Sequence, residues 1–251
     1  MSLPSPWPVP KELPPLASGA VHVWRLRLDL PVADVASLRR VLTDEERERA
    51  DRFHADRHRH RFIACRAQVR QLLGGYLQEH AERIGFCYGP QGKPALAAPW
   101  NNSGIRFNVS NSQDLALCAV VLDRELGVDI EHIREGRDLE GLAERFFAPR
   151  EVETLRSLPA DRRTEAFFDC WTRKEAVLKA VGIGISFPLD RLVVTLTPGE
   201  PPRVIELEGP ATAENDWWLA HLDPAPQYVG ALAARGHPGV VSRWTFEPSV
   251  V

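Results

Sequence analysis

No stretch of this 251-residue chain approaches the ~18 apolar residues that a membrane-spanning helix requires. The opening residues, MSLPSPWPVPKELPP, lack the basic start and apolar stretch of a secretory signal. They read instead as an extended arm over residues 1–19, stiffened by prolines that fix φ and remove a donor, and dispensable through about Pro10. Neither sign of charge dominates: 31 Lys and Arg against 34 Asp and Glu leave a net charge of −3. That balance argues against electrostatic capture of nucleic acid or of an anionic membrane. Cysteine is sparse and unpaired. Cys65, Cys87, Cys118 and Cys170 form no Cys-x-x-Cys motif, and each falls in an apolar-patterned segment. They are expected as reduced core thiols of a cytoplasmic protein, not as a disulfide frame or a metal site. No internal sequence repeat stands out. What is present is an ordinary globular balance, 44% hydrophobic and 26% charged, enough for one large domain or two modest ones sharing a core.

Helix and strand signals alternate loosely along the chain. Val21–Leu28 reads as a strand. Thr43 with Glu46 forms a capping box that opens a helix. A longer helix runs from about His58 to Glu79 on the apolar stripe Phe62, Cys65, Val69, Leu72, Leu73 and Tyr76. Strand signals follow at 84–88, 105–109, 115–121 and 126–131. Beyond Asp123, Pro149 suits the first turn of a short helix to Leu158. Asp161 is expected to cap a long helix reaching Val181, stopped by Gly182 and Gly184. Further strands are expected at 191–196, 203–207, 217–222 and 228–234. The sum is an α+β protein with a first half over 20–122 and a second over 123–251.

Four segments carry chemistry. In Leu126-Gly127-Val128-Asp129-Ile130-Glu131, a strand would send Asp129 and Glu131 to one face and Val128 and Ile130 to the other. Two carboxylates so close suit a hard cation such as Mg²⁺ between them; the alternative is an exposed acidic edge. In the segment from Phe167 to Gly184, Glu175 and Lys179 stand four apart on one helix face, either as a surface ion pair or as a metal ligand and a phosphate contact. Tyr88-Gly89-Pro90-Gln91-Gly92-Lys93-Pro94 places a lysine at a glycine turn without Walker spacing, suited to phosphate or simply to turning the chain. Phe107-Asn108-Val109-Ser110-Asn111-Ser112 reads as a strand entering a polar turn. The eight arginines from Arg47 to Arg70 are mixed with acids, as on a solvated helix face, and speak against a nucleic-acid surface.

The succession of Gly92-Lys93-Pro94, Phe107-Asn108-Val109-Ser110, Gly127-Val128-Asp129-Ile130-Glu131 and Trp171 to Ile185 (WTRKEAVLKAVGIGI) resembles the Sfp-type phosphopantetheinyl transferases. The stretch Arg61 to Arg70 is similar to that family's N-terminal helix, so the likeness spans roughly residues 20 to 235. The resemblance implies a pseudo-dimer of two similar α+β halves with coenzyme A in the cleft between them. It implies Mg²⁺ at Asp129, Glu131 and Glu175. It implies coenzyme A contacts from Arg49, Gly92, Lys93, Pro94, Asn108, Ser110, Asn111 and Lys179. The implied reaction moves the 4′-phosphopantetheine arm to a serine of an apo carrier protein and releases 3′,5′-ADP. Glu175 is then the candidate base, with Glu131 the second choice, and Lys179 faces the departing phosphate. A monomer working on a carrier protein and coenzyme A, without nucleic acid or membrane, is the expected form. One departure stands out: the family's motif continues with histidine where this chain has Asn111, which can donate a hydrogen bond but cannot become a cation. A non-catalytic relative that binds carrier proteins or coenzyme A is the alternative.

Overall fold

A computed structural model describes residues 7–134, 138–182, 187–208 and 216–250. Its first half contains β1 (Ala20–Arg27), α1 (Val32–Arg39), α2 (Asp44–Asp51), α3 (Asp56–Leu77), β2 (Phe86–Tyr88), β3 (Pro94–Leu96), β4 (Ile105–Ser112) and β5 (Leu115–Leu122). Its second contains β6 (Leu126–His132), α4 (Leu139–Phe146), α5 (Pro149–Ser157), α6 (Ala160–Val181), β7 (Leu192–Val194), β8 (Val204–Leu207), β9 (Trp217–Leu222) and β10 (Tyr228–Arg235). Strand, three helices, a short antiparallel pair and two more strands therefore occur twice. The final strand, β11 (Val240–Thr245), comes from the end of the chain yet pairs in parallel with β1 of the first half.

The sheets repeat as well: β1-β5-β4 in one half matches β6-β10-β9 in the other, with β11 added beside β1. A buried ionic node repeats beneath them. Glu46, at the third position of α2, receives Arg70 of α3 at 2.8 Å, and Arg70 also donates to the carbonyls of Ala81 and Ile84. Glu151, at the third position of α5, receives Lys174 of α6 at 2.6 Å, and Lys174 donates to the carbonyls of Leu189 and Leu192. The α+β class and its two similar halves are thus present in backbone and side chain alike.

Alternation along the strands sets the layers. Val21, Val23, Leu117, Ala119 and Val121 of the first sheet meet Val128, Ile130, Leu222 and Leu232 of the second. The opposite face of the first sheet, with Trp24, Leu26, Cys118 and Val120, is covered by α3. The opposite face of the second, with Leu219, Val229, Ala231 and Ala233, is covered by α6. The seam between the halves is therefore apolar, and each fully buried Val or Leu there contributes about 1.5–3 kcal/mol.

Several expectations are corrected. The arm is not dispensable through Pro10: Trp7 is buried in the seam core, and its indole N–H donates to the Asp223 carbonyl at 3.1 Å. Asp161 lies inside the first turn of α6, whose N-cap is Pro159. Cys87 is exposed, because the three-residue strand β2 keeps a solvent side, although all four cysteines are free thiols. Asn108 to Asn111 are not a turn. β4 runs on to Ser112, and the reversal falls at Gln113 and Asp114, with Gln113 at φ 52°. Met1 to Pro6 of the arm, and Ile183 to Ile185 of the glycine-rich stop, including Gly184, lie outside the described residues.

His221 of β9 ties the second sheet to α6. Its Nδ1 is 3.2 Å from Asp169 Oδ1 and its Nε2 is 2.7 Å from Asp223 Oδ1. Burial alone would lower its pKa, but the two carboxylates outweigh that and raise it from 6.5 to about 9. A raised cationic pKa contributes stability that is complete below the unfolded value and lost as pH climbs through the folded one. Thermal unfolding of the unaltered protein and of His221→Gln should therefore differ most below pH 6.5 and converge above pH 9. A constant difference across that range would show that the charge is not what His221 contributes.

Candidate active site

Gly127 sets the distance between β6 and α6. A Cβ there would lie 2.0 Å from the Ala176 carbonyl oxygen and 2.5 Å from the Ala180 nitrogen, so only glycine lets these backbones approach. The approach brings Lys179 of α6 onto Asp129 of β6. Asp129 Oδ1 accepts from Lys179 Nζ at 2.6 Å and from Ser110 Oγ at 2.7 Å, and Lys179 also donates to Ser110 Oγ at 2.8 Å.

Ser110 comes from β4, in the other half. β4 and β6 share no backbone ladder and are joined instead by alternate β4 side chains. Asn108 Oδ1 accepts from the Val128 N–H at 2.8 Å, Ser110 holds Asp129, and Ser112 Oγ donates to Glu131 Oε2 at 2.9 Å. Asn108 and Ser110 are thus struts that fix the carboxylate strand against the first half. The carboxylates themselves sit in mutual repulsion. Burial and the Asp129 charge raise the pKa of Glu131 above the ordinary glutamate value. Burial, Asp129 and then Glu131 do the same to Glu175, partly offset by Lys179.

The set suits a hard cation by its donors. All three are carboxylates, they repel one another, and Asp129 Oδ2 is buried without a partner. Among the described residues no three His, Cys, Asp or Glu side chains stand close enough to share an ion as placed, and Lys179 occupies the other oxygen of Asp129.

Two cavities flank this seam. One, of about 320 Å³, is lined by Gly92, Lys93, Pro94, Asn108, Glu175 and Lys179 among others. The other, of about 500 Å³, contains Arg49, Pro94 and Asn111. Pro94 and Val109 border both, so the residues that the resemblance assigns to coenzyme A line a continuous surface across the outer face of β4, except that Ser110 lies beneath it; of the carboxylates, Glu175 lines the smaller cavity, Asp129 is buried and Glu131 lines a third cavity. Lys93 is engaged otherwise than expected: its Nζ donates to Glu125 Oε2 at 3.2 Å and to the carbonyls of Leu126 at 3.2 Å and Ala180 at 3.4 Å. It tethers the β2–β3 hairpin to the second half.

The arginine-rich stretch divides between structure and site. Arg61 forms a two-pronged pair with Asp29 at 2.7 and 2.8 Å, and Arg66 and Arg70 share Glu46. Arg49 instead lies over the Phe62 ring at 5.3 Å, and both line the larger cavity. Sequence reasoning passed over His58, Phe62 and Arg134, which line the same cavity. Phe62 was placed in a buried stripe, and a lone arginine after a strand carries no signal of its own.

Residues 125–233 match the profile of the 4′-phosphopantetheinyl transferase superfamily, and residues 32–122 match that of the 4′-phosphopantetheinyl transferase N-terminal family. The chain is 44% identical to the 4′-phosphopantetheinyl transferase HetI of Nostoc sp., over 88% of this chain and 90% of that one. It is 29% identical to the 4′-phosphopantetheinyl transferase Sfp of Bacillus subtilis, over 87% and 93%. It is 30% identical to the L-aminoadipate-semialdehyde dehydrogenase-phosphopantetheinyl transferase of Homo sapiens, over 80% and 69%.

Proposed function

The chain belongs to the 4′-phosphopantetheinyl transferase family, and we propose that it transfers the phosphopantetheine arm of coenzyme A to a serine of an apo carrier protein. The observation that supports this most is the seam itself. Lys179 meets Asp129, and Glu131 and Glu175 lie near enough to feel both charges, beside cavities with cationic walls drawn from both halves.

Asp129, Glu131 and Glu175 would hold Mg²⁺ through oxygen donors; once bound, it would offset charge on the coenzyme A pyrophosphate. The chain's own groups account for the remaining steps. The serine Oγ forms a bond to the β-phosphorus, and the bond from that phosphorus to the oxygen of 3′,5′-ADP breaks. Glu175 takes the serine proton. Glu175 lines the smaller cavity, where a carboxylate oxygen can meet a serine hydroxyl that enters it. Lys179 carries positive charge to the oxygen that leaves, one helical turn from Glu175. Lys93 and the Gly92 turn, at φ 77°, close the wall of the smaller cavity.

An apo carrier protein incubated with this protein, coenzyme A and Mg²⁺ should gain about 340 Da per serine in intact mass, the mass of the arm. No mass gain on any of a panel of fatty-acid, polyketide and peptide carriers would remove the proposal. A panel also ranks the carriers.

A further inference from the structure

Coenzyme A presents two separate anionic groups, a pyrophosphate and a phosphomonoester on its ribose. The reacting pyrophosphate belongs beside Glu175 and Lys179, and the monoester suits the larger cavity, whose wall carries Arg49, Arg61, Arg66 and Arg134 and no carboxylate. Cationic side chains there are unequally free. Arg61 is committed to Asp29 and Arg66 to Glu46. Arg49 and Arg134 have no carboxylate within ion-pair distance among the described residues. Asn111, on the same cavity wall, cannot carry charge.

Arg134 differs from the others in origin. It follows β6 in the second half, while the rest of that cavity is built from the first. It also borders the neighbouring cavity that holds Glu131, together with Asn111 and Gln113, and its positive charge is felt at Glu131. We propose that Arg134 reaches across the seam to bind the phosphomonoester, supplying with Arg49 the charge that Asn111 lacks. A planar guanidinium offers two parallel N–H donors to a phosphate, so the contact selects a monoester dianion over a bare hydroxyl. Holding that group from both halves also fixes the far end of the ligand, so that the reacting end is presented to Glu175 in one register. The inference rests on the transferase reading above and names the residue that recognises one part of its substrate.

Dephospho-coenzyme A lacks only this phosphate and isolates the contact. Calorimetric dissociation constants for coenzyme A and dephospho-coenzyme A should be measured for the unaltered protein, Arg134→Gln and Arg134→Lys, at fixed ionic strength. Arg134→Gln is expected to weaken coenzyme A about tenfold or more, as for a lost charge-assisted hydrogen bond. Dephospho-coenzyme A should bind all three proteins alike, and Arg134→Lys should fall between. Equal weakening of both ligands, or of neither, overturns the assignment. Failure of the unaltered protein to bind coenzyme A at all would instead overturn the transferase reading beneath it.

Discussion

Glu175→Gln should slow phosphopantetheine transfer by about 10²–10⁴-fold, the usual contribution of a positioned base, while leaving the fold at least as stable as before. The two halves of this expectation share one cause. Burial, Asp129 and Glu131 all push the Glu175 pKa upward, so its ionised form is disfavoured in the folded state. An acid with a raised folded pKa destabilises the protein above that pKa, and the effect vanishes below the ordinary value of 4.5. Without divalent cation, Glu175→Gln should therefore unfold at or above the temperature of the unaltered protein at pH 7, and the two should converge toward pH 4. Adding Mg²⁺ should raise the unfolding temperature of the unaltered chain and raise that of the variant less, because a ligand stabilises only the state that binds it. Transfer near the normal rate would remove Glu175 from the chemistry. A variant less stable at pH 7 would show that Glu175 is a structural group.

Asp129→Asn makes the contrast. Asp129 is 4% exposed and receives both Lys179 and Ser110, so its loss removes a partner from a cation as well as a candidate metal ligand. A fully buried pair broken on one side costs about 3–5 kcal/mol, and the 28% exposure of the Lys179 side chain reduces that cost. Asp129 and Glu175 are both expected to be needed for transfer, yet only Asp129 should be needed for stability.

Which side chains share a face at the candidate site was legible in the sequence, as was the α+β class. Asp129 and Glu131 were legible because alternation on a strand fixes which side chains share a face. Glu175 and Lys179 were legible because a helix turn does the same. The two similar halves were expected from the resemblance alone and left no visible repeat in the sequence, for a physical reason. Their shared feature is a charge buried between a helix N-terminus and two carbonyls, and that position accepts either Arg70 or Lys174. Identity comparison scores these as different, although the geometry is the same. Lys174, beside Glu175 in the same motif, was given no role of its own and is fully buried. Lys93 lines the smaller cavity, but its tether to Glu125 and the end of α6 depends on a tertiary contact that no local pattern encodes. The helices α1 and α4 and the strand β11 were missed because each is short. β11 is recruited by the edge of β1 and not by alternation of its own, since its residues are mostly half-exposed.

Gly127 was quoted as part of a motif without a role, and the structure makes it the most sensitive backbone position near the site. Its neighbours on β6 are chosen for charge or for the seam core; Gly127 is chosen for having no side chain. A methyl group there would overlap the Ala176 carbonyl oxygen at 2.0 Å and approach the Lys179 carbonyl carbon at 3.0 Å. Both belong to helix backbone, so no rotamer change relieves the clash, and α6 must move away from β6. Overpacking of a core costs about 1–3 kcal/mol when side chains can adjust, and more when backbone must shift. With about 3 kcal/mol or more lost, Gly127→Ala should lower the unfolding temperature by at least 6–12 °C, at roughly 2–4 °C per kcal/mol for a chain of this size. Gly89→Ala is the control, since its Cβ would lie 3.7 Å from the Lys93 carbonyl oxygen in ordinary contact, and its unfolding temperature should hardly change. Activity should fall with the same displacement, measured well below the unfolding transition. Moving α6 carries Glu175 and Lys179 away from Asp129 together, so kcat should drop. A Gly127→Ala protein as stable and as active as the unaltered one would mean that β6 and α6 are not in the close contact from which this site is built.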